Sequence, residues 1–286
     1  MSDRIVVGVD GSEPSNQAVA WAAKAAAREE RELHLYSLYQ THGALYAAVP
    51  VPQDVIDRVH ADAEAVVKSA ADIARAAAPG VEITASIADS RPAIALIDAS
   101  KTASVVIVGS RGLGGASGLL LGSVGSELAA NAYSPVVVVR GATDNPDGPV
   151  VVGVDGSKLS QNAVAEAFRQ ASLRGAKLVA VQTWSDLPDS VFAGYGLDES
   201  VLEAEIEGAK LSLGERIAGY REQYPDVEVE RVISAAGPVE QLLETSKNAQ
   251  LLVVGSRGRG GFTSLLLGST SQALLHKSTV PLMVVR

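Results

Sequence analysis

The sequence predicts two tandem α/β domains, each a doubly wound parallel sheet flanked by helices, at residues 1–140 and 150–286 with a linker at 141–149. An internal repeat is the first reason. Ile5 opens IVVGVDGSEPSNQAVAWAAKAA and Val150 opens VVVGVDGSKLSQNAVAEAFRQA, so Asp10 answers Asp155 at an offset of 145. RPAIALIDAS from Arg91 answers GPVEQLLETS from Gly237, and Gly109 answers Gly255, now at an offset of 146. Copies of that length are whole domains rather than solenoid units. The second reason is alternation: short apolar β-branched runs exchange with segments of helical period, which implies parallel sheets covered on both faces. Right-handed crossovers then leave a small set of doubly wound topologies. The third is the stretch GATDNPDGP at 141–149, rich in turn formers and nearly free of large apolar groups.

Taken in order, Ile5 to Val9 reads as a strand ending at Asp10-Gly11-Ser12. Residues 14–29 carry Ala18, Trp21, Ala22, Ala25 and Ala26 at helical spacing, with Ser12 or Ser15 as the N-cap. Leu33 to Tyr39 is a second strand, and 40–53 a long loop with two prolines. Val55, Val59, Ala63, Val66, Ala70, Ile73 and Ala77 share one face of the helix that follows, which Pro79-Gly80 stops. Next come a strand near 81–87, a helix after Pro92, a strand at 104–108, a glycine loop, a helix over about 123–132 and a strand Val136 to Val139. The second half repeats this order down to a strand from Pro281 to Val285.

The glycine loops carry the chemistry. VVIVGSRGLGGASGLLLGSVGSELA at 105–129 and LLVVGSRGRGGFTSLLLGSTSQALL at 251–275 both fit G-x2-G-x9-G-S, between a buried strand and a helix. Glycine and serine suit a backbone that turns tightly and points N–H groups at an anion beside a helix N-terminus. The loop is not that of kinases and GTPases, because no Gly-Lys pair occurs in the chain. Nor is it the dinucleotide fingerprint: the first strand runs into Asp-Gly-Ser, and the nearest match, at Gly112 and Gly114, lacks the third glycine. A net charge of −9 and 4% aromatic residues disfavour a nucleic-acid surface. The absence of cysteine excludes a disulfide framework and a thiolate zinc site. The N-terminus shows no leader pattern and no run of about 18 apolar residues exists, so a cytoplasmic protein without a membrane span is expected.

With V-G-V-D-G-S after the first strand and G-x2-G-x9-G-S after the fourth, both present twice, the chain resembles a tandem member of the universal stress protein family. The resemblance covers almost the whole chain. It implies an adenine nucleotide α-hydrolase-like fold, with five parallel strands per domain in the order 3-2-1-4-5, and ATP at the carboxyl ends of strands one and four. It also implies that Gly109, Gly112, Gly122 and Ser123, with Gly255, Gly258, Gly268 and Ser269, wrap ribose and phosphates. Val124 and Thr270 add a backbone N–H, Val108 and Val254 wall the adenine, and the backbones of Leu38 and Thr183 read its edge. Many family members pair domains through the last strand, so an intramolecular domain pair, or a homodimer, is a further expectation.

Asp10 and Asp155 face ribose hydroxyls or a Mg2+ ion, or else serve only the strand-to-helix turn and its cap. Arg111, Arg257 and Arg259 reach phosphates or stand solvated. His34, His42, His60 and His276 lack metal-ligand spacing and read as surface or packing residues. The divergent loops 40–53 and 185–199 are lids, partner surfaces or ordinary variable loops. No residue can be named as base or nucleophile. Three readings stay open: regulation of an unknown protein partner by ATP occupancy, slow ATP hydrolysis or phosphoryl transfer with Mg2+, and a purely structural interaction module. Gly109→Ala with Gly255→Ala is expected to weaken ATP binding with the fold mostly intact.

Overall fold

The computed structural model describes residues 4–41, 51–112, 121–141, 145–183, 199–258 and 266–286, with backbone alone for 199–205. The chain divides into two compact units, Met1–Arg140 and Gly141–Arg286. The first holds β1 Arg4–Val9, α1 Glu13–Glu29, β2 Glu32–Tyr39, α2 Gln53–Ala77, β3 Ile83–Asp89, α3 Pro92–Ala99, β4 Val105–Gly109, α4 Ser123–Asn131 and β5 Val136–Val139. The second holds β6 Val150–Gly153, α5 Lys158–Arg174, β7 Leu178–Thr183, α6 Glu199–Gln223, β8 Val229–Ser234, α7 Pro238–Thr245, β9 Leu251–Gly255, α8 Ser269–Lys277 and β10 Leu282–Val285.

All pairings within each unit are parallel. In the first, β1 lies between β2 (Ile5 opposite Leu33) and β4 (Ile5 opposite Val105), β3 pairs outside β2, and β5 outside β4. The order β3-β2-β1-β4-β5 is the one the resemblance implies. The second unit has β8-β7-β6-β9-β10. Right-handed crossovers in this order put the first two helices on one face and the last two on the other. The packing agrees, since α1 lies against α2 and α3 against α4, as α5 does against α6 and α7 against α8.

Strands β4, β5 and β9 are apolar throughout, with both faces covered: Val105 to Val108, Val136 to Val139 and Leu251 to Val254 are all buried. The edge strand β3 is mixed, with Ala85 exposed, because no sheet neighbour and little helix cover its outer side. It begins and ends two residues later than its apolar run suggests. Polar Asp89 remains in the ladder opposite Tyr39, which hydropathy alone does not signal. On α1, Ala18, Trp21, Ala22, Ala25 and Ala26 are buried as their spacing predicts. On α2 burial starts only at Ala63; Val55, expected on the apolar face, stands 38% exposed at the helix's first turn. The described part of 141–149 is bound to its own unit. Asn145 Nδ2 donates to the Asn248 carbonyl, and Gln250 Nε2 donates to the carbonyls of Pro146 and Gly148.

Of the four histidines, His34 is a structural one. Its Nδ1 lies 2.8 Å from Thr84 Oγ1 and its Nε2 2.8 Å from Ser86 Oγ, while the Thr84 hydroxyl donates to Glu32. That last donation obliges Thr84 to accept from Nδ1–H, and a neutral ring then accepts at Nε2 from the Ser86 hydroxyl. Burial, then the Arg4 charge, lowers its pKa against the opposing pull of Glu32. The folded state therefore takes up its proton at lower pH than the unfolded chain does. Stability contributed by neutral His34 is present above about pH 6.5 and is lost as pH falls from there toward the folded value. The thermal midpoint of the first unit should drop over that window, and His34→Gln should flatten the drop; an unchanged pH profile in the variant would disprove the assignment. His42 lies outside the described residues.

Candidate functional site

At the carboxyl end of β1 the chain must turn from strand to helix within three residues. Gly11 has φ +82° and Gly156 φ +83°, a left-handed conformation that a side chain would strain. The preceding aspartate closes the turn: Asp10 Oδ1 accepts from the Ser12 N–H at 3.0 Å and the Ser12 hydroxyl at 2.6 Å, and Asp155 Oδ1 accepts from the Ser157 N–H at 2.9 Å. Ser12 caps α1 by accepting from the Ser15 N–H, and Ser157 caps α5 by accepting from the Ser160 N–H. The alternative cap, Ser15, instead accepts from the Asp10 N–H, as Ser160 does from Asp155. Turn and helix start thus form one hydrogen-bonded unit in both copies.

The glycine loop begins on the neighbouring strand. The Ser110 N–H donates to the Val139 carbonyl and the Ser110 carbonyl accepts from the Gly122 N–H at 2.8 Å; Ser256, Val285 and Gly268 repeat the arrangement. Both ends of the loop are therefore tied together at its base. Ser110 and Ser256 do this anchoring, yet they drew no notice as candidates. Their signal was the tetrad Gly-Ser-Arg-Gly, which is identical in the two copies.

The three motif glycines of each loop differ in what excludes a side chain. A Cβ on Gly109 would stand 2.6 Å from the Pro14 carbonyl carbon and oxygen and 2.8 Å from the Ser15 nitrogen. On Gly255 it would stand 2.9 Å from the Leu159 oxygen. The close approach is made by the first turn of the helix, so these glycines are required by the fold. A Cβ on Gly112 would overlap Asp10 Oδ2, and one on Gly258 would overlap Asp155 Oδ2. Here the neighbour is the tip of a side chain, and the aspartate lies directly against the loop. Gly122 and Gly268 are the N-caps of α4 and α8, and no side chain caps either helix.

Each aspartate turn is thereby brought against its glycine loop, with Ser123 and Ser269 exposed at the first helical positions and Val124 and Thr270 half-buried beside them. Leu38 is the penultimate residue of β2 and Thr183 the last of β7, half-buried and buried respectively. Val108 and Val254 are buried, with Cγ1 atoms 3.4 and 3.5 Å from where Cβ atoms on Gly8 and Gly153 would stand. Their side chains belong to the core. Arg111 and Arg257 are exposed, and Arg259 and nearly all of the loop 185–199, like 42–50 of the loop 40–53, lie outside the described residues. Sequence reading also passed over Arg140, whose guanidinium is drawn below its usual pKa by burial and then by Arg111, and Arg286, whose Nη2 donates to the Leu266 carbonyl at 3.2 Å. The two arginines follow β5 and β10, so each unit sets a second cation near its loop. Among the described residues no group of three or more histidine, aspartate or glutamate side chains is placed to hold a metal ion, and no helix is long and apolar enough to cross a membrane.

A parallel five-stranded sheet, an aspartate turn after its first strand and an anchored glycine loop after its fourth define one type of α/β unit, present here twice. The sequence pattern of the Universal stress protein family matches residues 1–140 and again 148–286. A universal stress protein of Mycobacterium tuberculosis is 39% identical over 289 residues, spanning 99% of this chain and 96% of the relative. One from Mycolicibacterium smegmatis is 39% identical over 288 residues with the same coverage. The crystal structure of a universal stress protein from Archaeoglobus fulgidus superposes with TM-score 0.74 at 23% identity, covering 100% of this chain and 99% of the other. The chain belongs to the universal stress protein family.

The two kinds of glycine predict separable effects. Gly109→Ala should destabilise the first unit by about 1–3 kcal/mol, the usual cost of overpacking against backbone. Gly255→Ala should cost less, because its contacts are some tenths of an ångström looser. Gly112→Ala, which needs only the Asp10 carboxylate to rotate, should cost under about 1 kcal/mol. Urea unfolding followed by circular dichroism measures all three, and equal midpoints for Gly109→Ala and Gly112→Ala would contradict this division.

Proposed function

We propose that each unit binds ATP at its glycine loop, and that occupancy regulates the protein's conformation or its grip on a protein partner in a cytoplasmic stress response. The observation that carries this is the pairing, in both units, of an aspartate held against the loop with a helix N-terminus that no side chain caps. The orphan N–H groups and the positive end of the helix dipole suit a phosphate there. A charge-assisted hydrogen bond contributes about 1.5–3 kcal/mol and the helix end roughly 0.3–2 more. Ser110 and Ser256 supply the rigidity, since a loop tied at its base loses less freedom when it closes on a ligand.

In this reading Gly109, Gly112, Gly122, Ser123 and Val124, with Gly255, Gly258, Gly268, Ser269 and Thr270, present backbone and hydroxyl groups to ribose and phosphates. Leu38 and Thr183 offer strand-end backbone to the adenine edge, and Val108 and Val254 stiffen the wall from the core side. Asp10 and Asp155 each commit Oδ1 to the turn. A ribose hydroxyl is therefore their best partner, because it can donate to the carboxylate without any added charge. A Mg2+ ion would be held chiefly by the phosphates, with one carboxylate per unit at hand.

Ser123 and Ser269 give a test that separates binding from folding. Glutamate at an exposed first helical position favours the helix by about 0.3–1 kcal/mol while repelling a phosphate. The double variant Ser123→Glu, Ser269→Glu should melt no lower than the parent protein and lose ATP affinity by about a hundredfold or more in calorimetry. Retained affinity would refute the site. Release of inorganic phosphate from ATP by the parent, measured in the same preparation, distinguishes a hydrolase from a binding protein.

A further inference from the structure

The two glycine loops repeat closely, but the helices that close over the aspartate turns do not. In the first unit the space beside Gly11 is filled by Val66 of α2, whose Cγ2 lies 3.1 Å from where a Cβ on Gly11 would stand. In the second unit the corresponding space beside Gly156 holds the guanidinium of Arg216 from α6, its Nε 2.9 Å from the equivalent point and its Nη2 and Cζ closer still. The turns beneath are alike, with φ of +82° and +83°. What differs is the group laid on them: hydrocarbon in one unit and a permanent cation in the other.

The sheet has changed in step. Arg216 Nη1 donates to Gln182 Oε1 at 3.0 Å, and Gln182 is a buried residue one position before Thr183 on β7. Its counterpart in the repeat is Ser37, one position before Leu38 and also buried. Serine is too short to meet a guanidinium from the covering helix, whereas glutamine reaches it and fixes its plane. The partner is a neutral amide, so it orients the guanidinium without cancelling its charge. Of the arginines near the loops, Arg111 with Arg257 and Arg140 with Arg286 recur in both halves and so contribute alike to both sites, whereas Arg259 answers Leu113. Arg216 has no such twin.

Resting on the nucleotide reading above, we infer that the two sites are unequal: Arg216, fixed by Gln182 against the Asp155 turn, makes the second unit's site the tighter and more salt-sensitive one for polyanionic nucleotides. A half-buried cation acts across a short, poorly screened distance on any anion held between the turn and the loop. Val66 exerts no such field. Arg216 is a positioning and specificity residue here, acting through charge and through the turn it covers.

The test uses the full chain carrying Arg259→Leu, which matches the second loop to Leu113 of the first, with one site blocked at a time. Ser123→Glu reports the second unit alone, and Ser269→Glu the first alone. At low ionic strength the Ser123→Glu chain should bind ATP roughly tenfold more tightly than the Ser269→Glu chain, and the gap should close as KCl rises from about 50 to about 500 mM. Adding Arg216→Met, which keeps the apolar stem, should abolish the gap, and Arg216→Lys should retain most of it. Equal affinities, or equal salt dependence, in the two blocked chains would overturn the inference without any variant at 216, so a folding defect in Arg216→Met cannot shield it. A gap that survives Arg216→Met in a folded chain would overturn it too. If the unblocked protein binds no ATP, the nucleotide reading fails and takes this inference with it, an outcome distinct from two equal sites.

Discussion

The whole site depends on one backbone contact: the first turn of the helix after the first strand lies against the glycine that ends the fourth. With Pro14 and Ser15 where a Cβ on Gly109 would be, and Leu159 and Ser160 likewise at Gly255, no side chain can separate the two elements. That contact brings the aspartate turn and the glycine loop side by side. Everything chemical about the site follows from it, because Asp10 reaches Gly112 and Asp155 reaches Gly258 only when turn and loop share this spacing. A glycine read from sequence as making room for a ligand is here making room for the protein, and the proposed ligand site follows from that packing.

Much of this was legible in the sequence because the repeat supplied an internal control. A lone G-x2-G-x9-G-S is a weak signal, but two copies behind two V-G-V-D-G-S turns, in the same order, leave few folds. While the strand order came from the family resemblance, residue type offered Ser12 or Ser15 as the cap of α1, and the buried face of that helix was readable from spacing. The edge strand β3 and the first turn of α2 were not. Both lie where the sheet or helix runs out of partners, and there hydropathy ceases to track the ladder or the core. Ser110 and Ser256 escaped for another reason: they act through backbone groups, which leave no mark on residue choice beyond the identical tetrad around them.

The roles of Asp10 and Asp155 show how structure narrows a choice that composition leaves open. As residues of a turn they needed only to cap and to tolerate Gly11 or Gly156 beside them, and Oδ1 does that work. Had capping been their whole task, nothing would have required the other oxygen to lie in the space forbidden to a Gly112 or Gly258 side chain. One carboxylate serves two neighbours, which ties the position of the loop to that of the helix start. On the proposed reading, a ligand that moves either would move the other, which is the coupling that regulation by occupancy requires.

Duplication makes two such sites, and then lets them drift apart. Residues bound by backbone geometry have stayed the same in both copies: the Asp-Gly-Ser turn, the Gly-Ser-Arg-Gly tetrad and the closing Gly-Ser. The covering helix lays a side chain against the turn, and there valine in one copy stands where arginine stands in the other. Among the described residues, the covering helices differ where that changes the charge laid on the turn, while the Asp-Gly-Ser turn keeps its geometry. On the inference that Arg216 makes the proposed nucleotide sites unequal, the two would fill at different nucleotide concentrations, and a single chain would report a graded rather than an all-or-none change in its ligand.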